Sequence, residues 1–155
     1  MFSNRRRVRI EWGDCDAAGI VYYPRYFAFF DASTHYLFEA AGWKKADLRR
    51  EFDMVGFPMV DTRGKFIIPS SFGEDIDIET EVSEFRRSSF DIRHKVFKPL
   101  PDGEQLAIEA WETRVWTRRH PDDPGKLKSQ PIPEAVVKRL TGLSRPATNC
   151  SDSYK

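Results

Sequence analysis

The chain has 155 residues, 40% of them apolar, and 25 basic side chains against 24 acidic ones give a formal charge of +1. That length fits one domain with a sizeable core. The near-neutral balance leaves no overall field that would favour duplex nucleic acid, so any anionic ligand must be held locally. Cys15 and Cys150 make neither a disulfide framework nor a repeated-cysteine zinc signature. There is no run of about 18 apolar residues and no signal-peptide apolar block. A cytoplasmic protein with no membrane or nucleic-acid partner is therefore expected.

Residues 7–12 alternate, with Val8, Ile10 and Trp12 on one side and Arg7, Arg9 and Glu11 on the other, as a half-buried strand requires. From Pro24 to Ala41 the period changes. Phe27, Phe30, Leu37, Phe38 and Ala41 fall within one helical arc, and Arg25, Asp31, His35 and Glu39 share another. Pro24 suits a first helical turn, where its missing N–H has no intrahelical partner, and Gly42 suits a left-handed C-terminal position. Such a helix, roughly 27 Å long, needs a sheet on which to bury its phenylalanines.

Four further strands are predicted at 59–68, 75–85, 89–97 and 106–116, rich in β-branched and aromatic residues. Reversals fit at Arg86-Arg87-Ser88-Ser89 and at Pro101-Asp102-Gly103. Residues 117–132 carry Pro121, Pro124, Gly125 and Pro131 and read as a loop, while Pro133 to Leu140 can form a short helix. The expected class is α+β, one long helix packed on a five-stranded antiparallel sheet in the order β-α-β-β-β-β. One domain is expected over 1–142, followed by a disordered tail over 143–155.

The most unusual window is Trp12 to Pro24, which joins the first strand to the helix and places carboxylates beside a helix start. The first turn of a helix has N–H groups without internal partners and a partial positive charge, so it can polarise a carbonyl or hold an oxyanion. A carboxylate opposite it can attack or activate water.

The stretch GDCDAAGIVYYPRYFAFFDAS resembles the signature of the 4-hydroxybenzoyl-CoA thioesterase family of hotdog proteins, G-D-x-D-x-x-G-x-V-x-Y-x-x-Y. The likeness continues through Phe57-Pro58 and Phe85-Arg86-Arg87-Ser88-Ser89-Phe90 to about Leu140. It implies a single hotdog domain that hydrolyses an acyl-CoA thioester. No metal or redox cofactor is implied, since CoA is part of the substrate. Asp16 falls on the family's catalytic carboxylate, as nucleophile or general base, and the Tyr23 N–H on its thioester-polarising donor. A plain loop role for Asp16, accepting backbone hydrogen bonds in a turn, is the alternative. Asp14 is read as ordering the loop. Cys15 is read as packing, because flanking acids disfavour its thiolate.

By the same resemblance Asp31 faces the acyl end of the pocket, although it also continues a solvated helical stripe. Arg86, Arg87 and Ser89 match a stretch near the nucleotide end of CoA, where guanidinium forks suit phosphates. Lys126 and Lys128 sit where relatives carry arginines. Tyr22 stands where a hydroxybenzoyl-CoA enzyme of the family has tryptophan. The expected substrate is accordingly an aromatic acyl-CoA such as 4-hydroxybenzoyl-CoA, with short aliphatic acyl-CoAs or a nonenzymatic acyl-CoA-binding role as alternatives. Hotdog relatives build pockets between subunits, and sheet edges need partners, so a homodimer or homotetramer is expected.

Overall fold

The computed structural model describes residues 1–142, so the tail expected over 143–155 lies outside the described residues. In chain order the elements are β1 (Ser3–Arg9), a 3₁₀ turn (Trp12–Asp14), α1 (Tyr23–Ala40), α2 (Lys45–Phe52), β2 (Met59–Phe66), β3 (Asp75–Phe85), β4 (Ser89–Leu100), β5 (Gly103–Val115), β6 (Thr117–Arg119), β7 (Leu127–Ser129) and α3 (Glu134–Gly142). Five strands form one sheet in the order β1-β3-β4-β5-β2, every neighbouring pair antiparallel. β6 and β7 form a separate hairpin.

α1 starts and stops as its ends dictate. Pro24 lies in its first turn. At the other end the Gly42 N–H donates to the Glu39 carbonyl and the Trp43 N–H to the Phe38 carbonyl, a double closure that the left-handed Gly42 (φ 111°) makes possible. Along the inner face Phe30, Leu37 and Phe38 are fully buried, each contributing about 1.5–3 kcal/mol of transfer free energy. The reversals after Phe85 and Leu100 fall where they are predicted.

The structure corrects the sequence expectations in three places. β1 ends at Arg9, and Trp12 is 76% exposed instead of facing the core. The cause is local: the Asp14 carboxylate accepts the Glu11 N–H at 2.9 Å, so the chain leaves the strand and turns. The short helix expected at Pro133 to Leu140 is present as α3, packing Val136 and Leu140, but α2, which packs Leu48 into the core, is not among the expected elements. Finally, the segment 117–132 is not all loop, since it contains the β6–β7 hairpin.

Two apolar clusters lie beneath α1. One gathers Ile10, Tyr26, Phe30, Ile78, Val96 and Ala110; the other gathers Leu37, Phe38, Val82, Ile92, Trp116 and Leu140. Between them along each strand comes a buried polar position: Thr80 on β3, His94 on β4, and Glu112 and Arg114 on β5. A polar row thus crosses the sheet under the middle of α1.

Candidate active site

The loop before α1 is built by a few backbone bonds. Cys15 and Val21 form an antiparallel bridge, the Asp16 N–H donates to the Ile20 carbonyl at 2.9 Å, and the Tyr22 N–H donates to the Asp14 carbonyl at 2.8 Å. At its tip, residues 16–19 close a tight turn in which the Gly19 N–H donates to the Asp16 carbonyl at 3.0 Å. Gly19 has φ 81°, which an L side chain rarely adopts. This folding-back puts Asp16 and the start of α1 in one short hairpin-like loop.

Asp16 is exposed, and its Oδ1 accepts the Ala18 N–H at 2.8 Å. That bond is the turn contact a structural loop aspartate makes, and it also fixes the carboxylate's direction. Tyr23 opens α1, so its N–H has no acceptor within the helix. Asp14 is different: it is 5% exposed and accepts the Glu11 N–H on Oδ2, and on Oδ1 the Arg25 Nε and Nη2 at 3.1 and 3.0 Å. The acid and the arginine staple the loop to the first turn of α1.

Exposed apolar side chains flank this loop. Trp12 meets Phe72 edge to face at 4.9 Å, Tyr22 meets Tyr23 at 5.6 Å, and Ile20 is also exposed. Neither Trp12 nor Phe72 belongs to the motif. Their position depends on the loop ahead of β3, where Ser71 bridges to Ile20 and the Ser70 carbonyl accepts the Val21 N–H.

Asp31 is on the exposed side of α1, yet it is held from beneath. Arg114 Nη2 donates to Asp31 Oδ1 at 2.9 Å, and Arg114 Nε donates to Glu112 Oε2 at 2.9 Å. Thr34 Oγ1 adds a 3.2 Å bond to the same glutamate oxygen. His94 Nε2 lies 3.5 Å from Glu112 Oε1, inside ion-pair range but long for a hydrogen bond, and its Nδ1 is 2.9 Å from Thr80 Oγ1. Burial pushes the His94 pKa down despite the nearby Glu112. Burial alone would push Glu112 up; contact with His94 and the Arg114 guanidinium outweigh it and hold Glu112 below its ordinary value. With His94 favoured neutral, the arginine is the counter-charge we assign to the ionised glutamate. The signal for this row was present in the sequence as polar residues at inward strand positions.

The remaining expected residues lie elsewhere. Arg86 is paired with Asp91 at 2.6 Å and Glu84 at 2.9 Å, whereas the exposed Arg87 side chain has no partner among the described residues. Ser89 opens β4, and its carbonyl accepts the Arg86 N–H. Lys126 pairs with Asp123 at 3.1 Å, and Lys128 is exposed on β7 opposite Arg118. The Arg86–Ser89 turn adjoins Phe85 and Phe90, which pack with Phe38 near the far end of α1. The structure therefore puts Asp16, Tyr22 and Tyr23 in one loop at the start of α1 and the Arg86–Ser89 turn near the opposite end of a helix roughly 27 Å long.

A family model described as the thioesterase-like superfamily matches residues 10–140. The chain belongs to that superfamily. It is 36% identical over 133 residues to a 4-hydroxybenzoyl-CoA thioesterase of Pseudomonas sp. strain CBS-3, covering 83% of this chain and 91% of that one. It is 29% identical over 142 residues to a 1,4-dihydroxy-2-naphthoyl-CoA hydrolase of Gloeothece citriformis strain PCC 7424, covering 90% and 91%. Its fold superposes on the crystal structure of a 4-hydroxybenzoyl CoA thioesterase mutant complexed with 4-hydroxybenzoyl CoA, with TM-score 0.82, 33% identity and coverage of 90% and 99%. The hotdog arrangement implied by the motif is the one observed. Among the described residues no helix is long and apolar enough to cross a membrane.

Proposed function

We propose that this chain hydrolyses the thioester of an aromatic acyl-CoA, such as 4-hydroxybenzoyl-CoA, to the free acid and CoA. The class of reaction, acyl-CoA thioester hydrolysis, follows from the superfamily match and the 36% identity across most of the chain. The observation that carries the site assignment is the short loop that joins the exposed Asp16 carboxylate to the start of α1, where the Tyr23 N–H has no acceptor within the helix. In the proposed reaction the Tyr23 N–H polarises the thioester carbonyl. Asp16 then either attacks that carbon, forming an acyl anhydride that water opens, or takes a proton from the attacking water. On either route the sulfur leaves as CoA thiolate, and no metal or redox cofactor takes part.

The aromatic preference is supported by two relatives whose names both specify hydroxylated aryl acyl groups, and by the exposed Trp12, Tyr22, Tyr23 and Phe72 around the loop. Asp31 is assigned to the acyl end of the pocket, and Arg87, Ser89, Lys126 and Lys128 to the nucleotide end. Arg86 is a weaker phosphate ligand because two carboxylates already hold it.

A homodimer or homotetramer completes the pocket in this reading. The Asp16 loop lies at the start of α1 and the Arg86–Ser89 turn near its far end, where Phe90 packs on Phe38. β2 is an open edge that also exposes Met59, Val60 and Phe66. The test is release of CoA thiol from 4-hydroxybenzoyl-, benzoyl- and short-chain acyl-CoAs. The hydroxybenzoyl thioester should give the highest kcat/KM; a flat or aliphatic-favouring profile would overturn the aromatic assignment, and no turnover of any thioester would overturn the enzyme.

A further inference from the structure

The chain enters the Asp16 loop at Ile10 and leaves it at Val21, and one short turn ahead of β3 holds both sides. On the entry side the Gly73 N–H donates to the Ile10 carbonyl at 3.0 Å and the Ile10 N–H to the Glu74 carbonyl at 2.9 Å. On the return side Ser71 bridges to Ile20, and the Ser70 carbonyl accepts the Val21 N–H at 2.9 Å. Between these contacts the turn carries Phe72, which packs on Trp12. The direction of the Asp16 loop is therefore set by where the turn 70–74 sits.

Two side chains fix that turn. The Glu74 N–H donates to the Ser71 carbonyl at 3.2 Å, and Glu74 Oε2 accepts the Ser71 N–H at 2.7 Å, so Glu74 closes the turn with backbone and side chain together. Lys98, on β4, reaches it from the sheet. Its Nζ donates to Glu74 Oε1 at 3.1 Å, to Glu74 Oε2 at 3.0 Å and to the Pro69 carbonyl at 2.9 Å, so one ammonium holds both ends of the turn. Burial would push the Glu74 carboxyl up, but the Ser71 N–H and the Lys98 ammonium outweigh it and hold it below its ordinary value. With the glutamate side chain 41% exposed the pair adds little to stability, and its consequence is geometric.

We infer that Lys98 and Glu74 are positioning residues for Asp16, bracing the turn 70–74 and, through it, the loop that carries the carboxylate. This rests on the reading of Asp16 as the reacting carboxylate. A displacement of about 1 Å in a reacting group can cost about 10²-fold in rate, so the brace acts on kcat and leaves binding nearly unchanged.

The test compares Lys98→Met, Glu74→Gln and Lys98→Arg with the native chain and with Arg93→Met, a control that removes an ion pair between β4 and β5. With 4-hydroxybenzoyl-CoA, Lys98→Met and Glu74→Gln should each lower kcat at least about tenfold and move KM by less than about twofold. Lys98→Arg keeps the charge and several donors and should stay within about threefold of native kcat. Arg93→Met should match the native chain. Hydrogen exchange read by mass spectrometry is the second measurement, and it needs no turnover. In Lys98→Met the amides of Asp16 and Val21 should exchange at least about tenfold faster, with the β3–β4 ladder unchanged. In an Asp16→Asn background Lys98→Met should cost no further single-turnover rate, because the carboxylate it positions is gone.

Native kcat in Lys98→Met, an equal loss in Arg93→Met, faster exchange throughout the chain, or an additive loss in the Asp16→Asn background would each overturn the assignment. Native turnover by Asp16→Asn would instead sink the reading of Asp16, while the exchange measurement still decides whether the pair holds the loop.

Discussion

Two aspartates separated by one residue should respond in opposite ways to the same substitution. Asp16 makes one side-chain bond, from the Ala18 N–H at 2.8 Å, and is exposed. Asn keeps an oxygen for that bond, so Asp16→Asn should change stability by no more than about 0.5 kcal/mol, the usual size for a surface substitution. Turnover should fall by roughly 10²-fold or more, the ordinary worth of acid–base assistance, and further if the carboxylate is a nucleophile. Asp14 is 5% exposed and uses both oxygens, one for the Glu11 N–H and one for Arg25. In Asp14→Asn one oxygen becomes an NH₂ that faces a donor. Loss of one bond to a charged group costs about 1.5–3 kcal/mol, with the Arg25 side weighted down because that side chain is 50% exposed. For a chain of this length the lower Tm corresponds to about 3–12 °C. The measurement is kcat on a saturating thioester beside thermal unfolding at one fixed protein concentration. A folded Asp16→Asn with near-native kcat would refute the mechanism, and equal Tm losses in the two variants would refute the division of roles.

The buried ion pair offers a double-mutant cycle: Glu112→Leu or Arg114→Met alone should cost about 3–5 kcal/mol, and the pair together much less, as read from urea midpoints at unchanged m-value; an additive double variant would count against a coupled pair. Stability should fall on acidification below about pH 6.5, the ordinary histidine value. The folded His94 pKa is lowered by burial, so the unfolded chain binds more protons there and stability rises with pH. His35 and Glu112 are lowered too and act in the same direction. His94→Gln should flatten the upper part of that slope, and stability that is flat or rising from pH 7 to about pH 5 in the native chain would contradict the assignment. Val60→Glu, on the exposed edge strand β2, should shift sedimentation toward monomer and reduce turnover with it; a fully active monomer would remove the need for a second copy.

Much of this fold could be read from local chemistry. Pro24 and Gly42 bracket α1 because both act through backbone geometry that neighbours cannot change. The Asp16–Gly19 turn likewise follows from residue types at fixed spacing. Trp12 misled for a comparable reason. Strict alternation put it on the core side, but Asp14, three residues after Glu11, captures the Glu11 N–H and ends the strand first. α2 was hidden because Leu48 and Phe52 are a single apolar pair four residues apart, too short a pattern to register as a period. The charged row was half visible: Thr80, His94, Glu112 and Arg114 occupy inward positions of alternating strands. Which acid meets which base depends on the cross-strand register and on where α1 lies, and neither is a local property.

The charged row is not explained by stability, because well-packed apolar residues in place of a buried ion pair are commonly as stable or more so. What it supplies is position. The Arg114 fork reaches Glu112 on its own strand, Asp31 on α1 and the Phe57 carbonyl ahead of β2 at 2.9, 2.9 and 3.4 Å, joining three segments at one group. Thr34 ties the same glutamate to α1. The row adds directional ties to the apolar packing of α1, one from Arg114 Nη2 to Asp31 and one from Thr34 to Glu112, and these fix the helix along its axis. The start of α1 carries Tyr23, and Asp14 with Arg25 couples that start to the Asp16 loop, so a shift of the helix displaces the proposed donor relative to the carboxylate. As a hypothesis, the Glu112→Leu/Arg114→Met chain should therefore keep most of its stability and lose kcat more than it raises KM. Native kcat in that double variant, with its fold verified, would show that helix placement does not depend on the row.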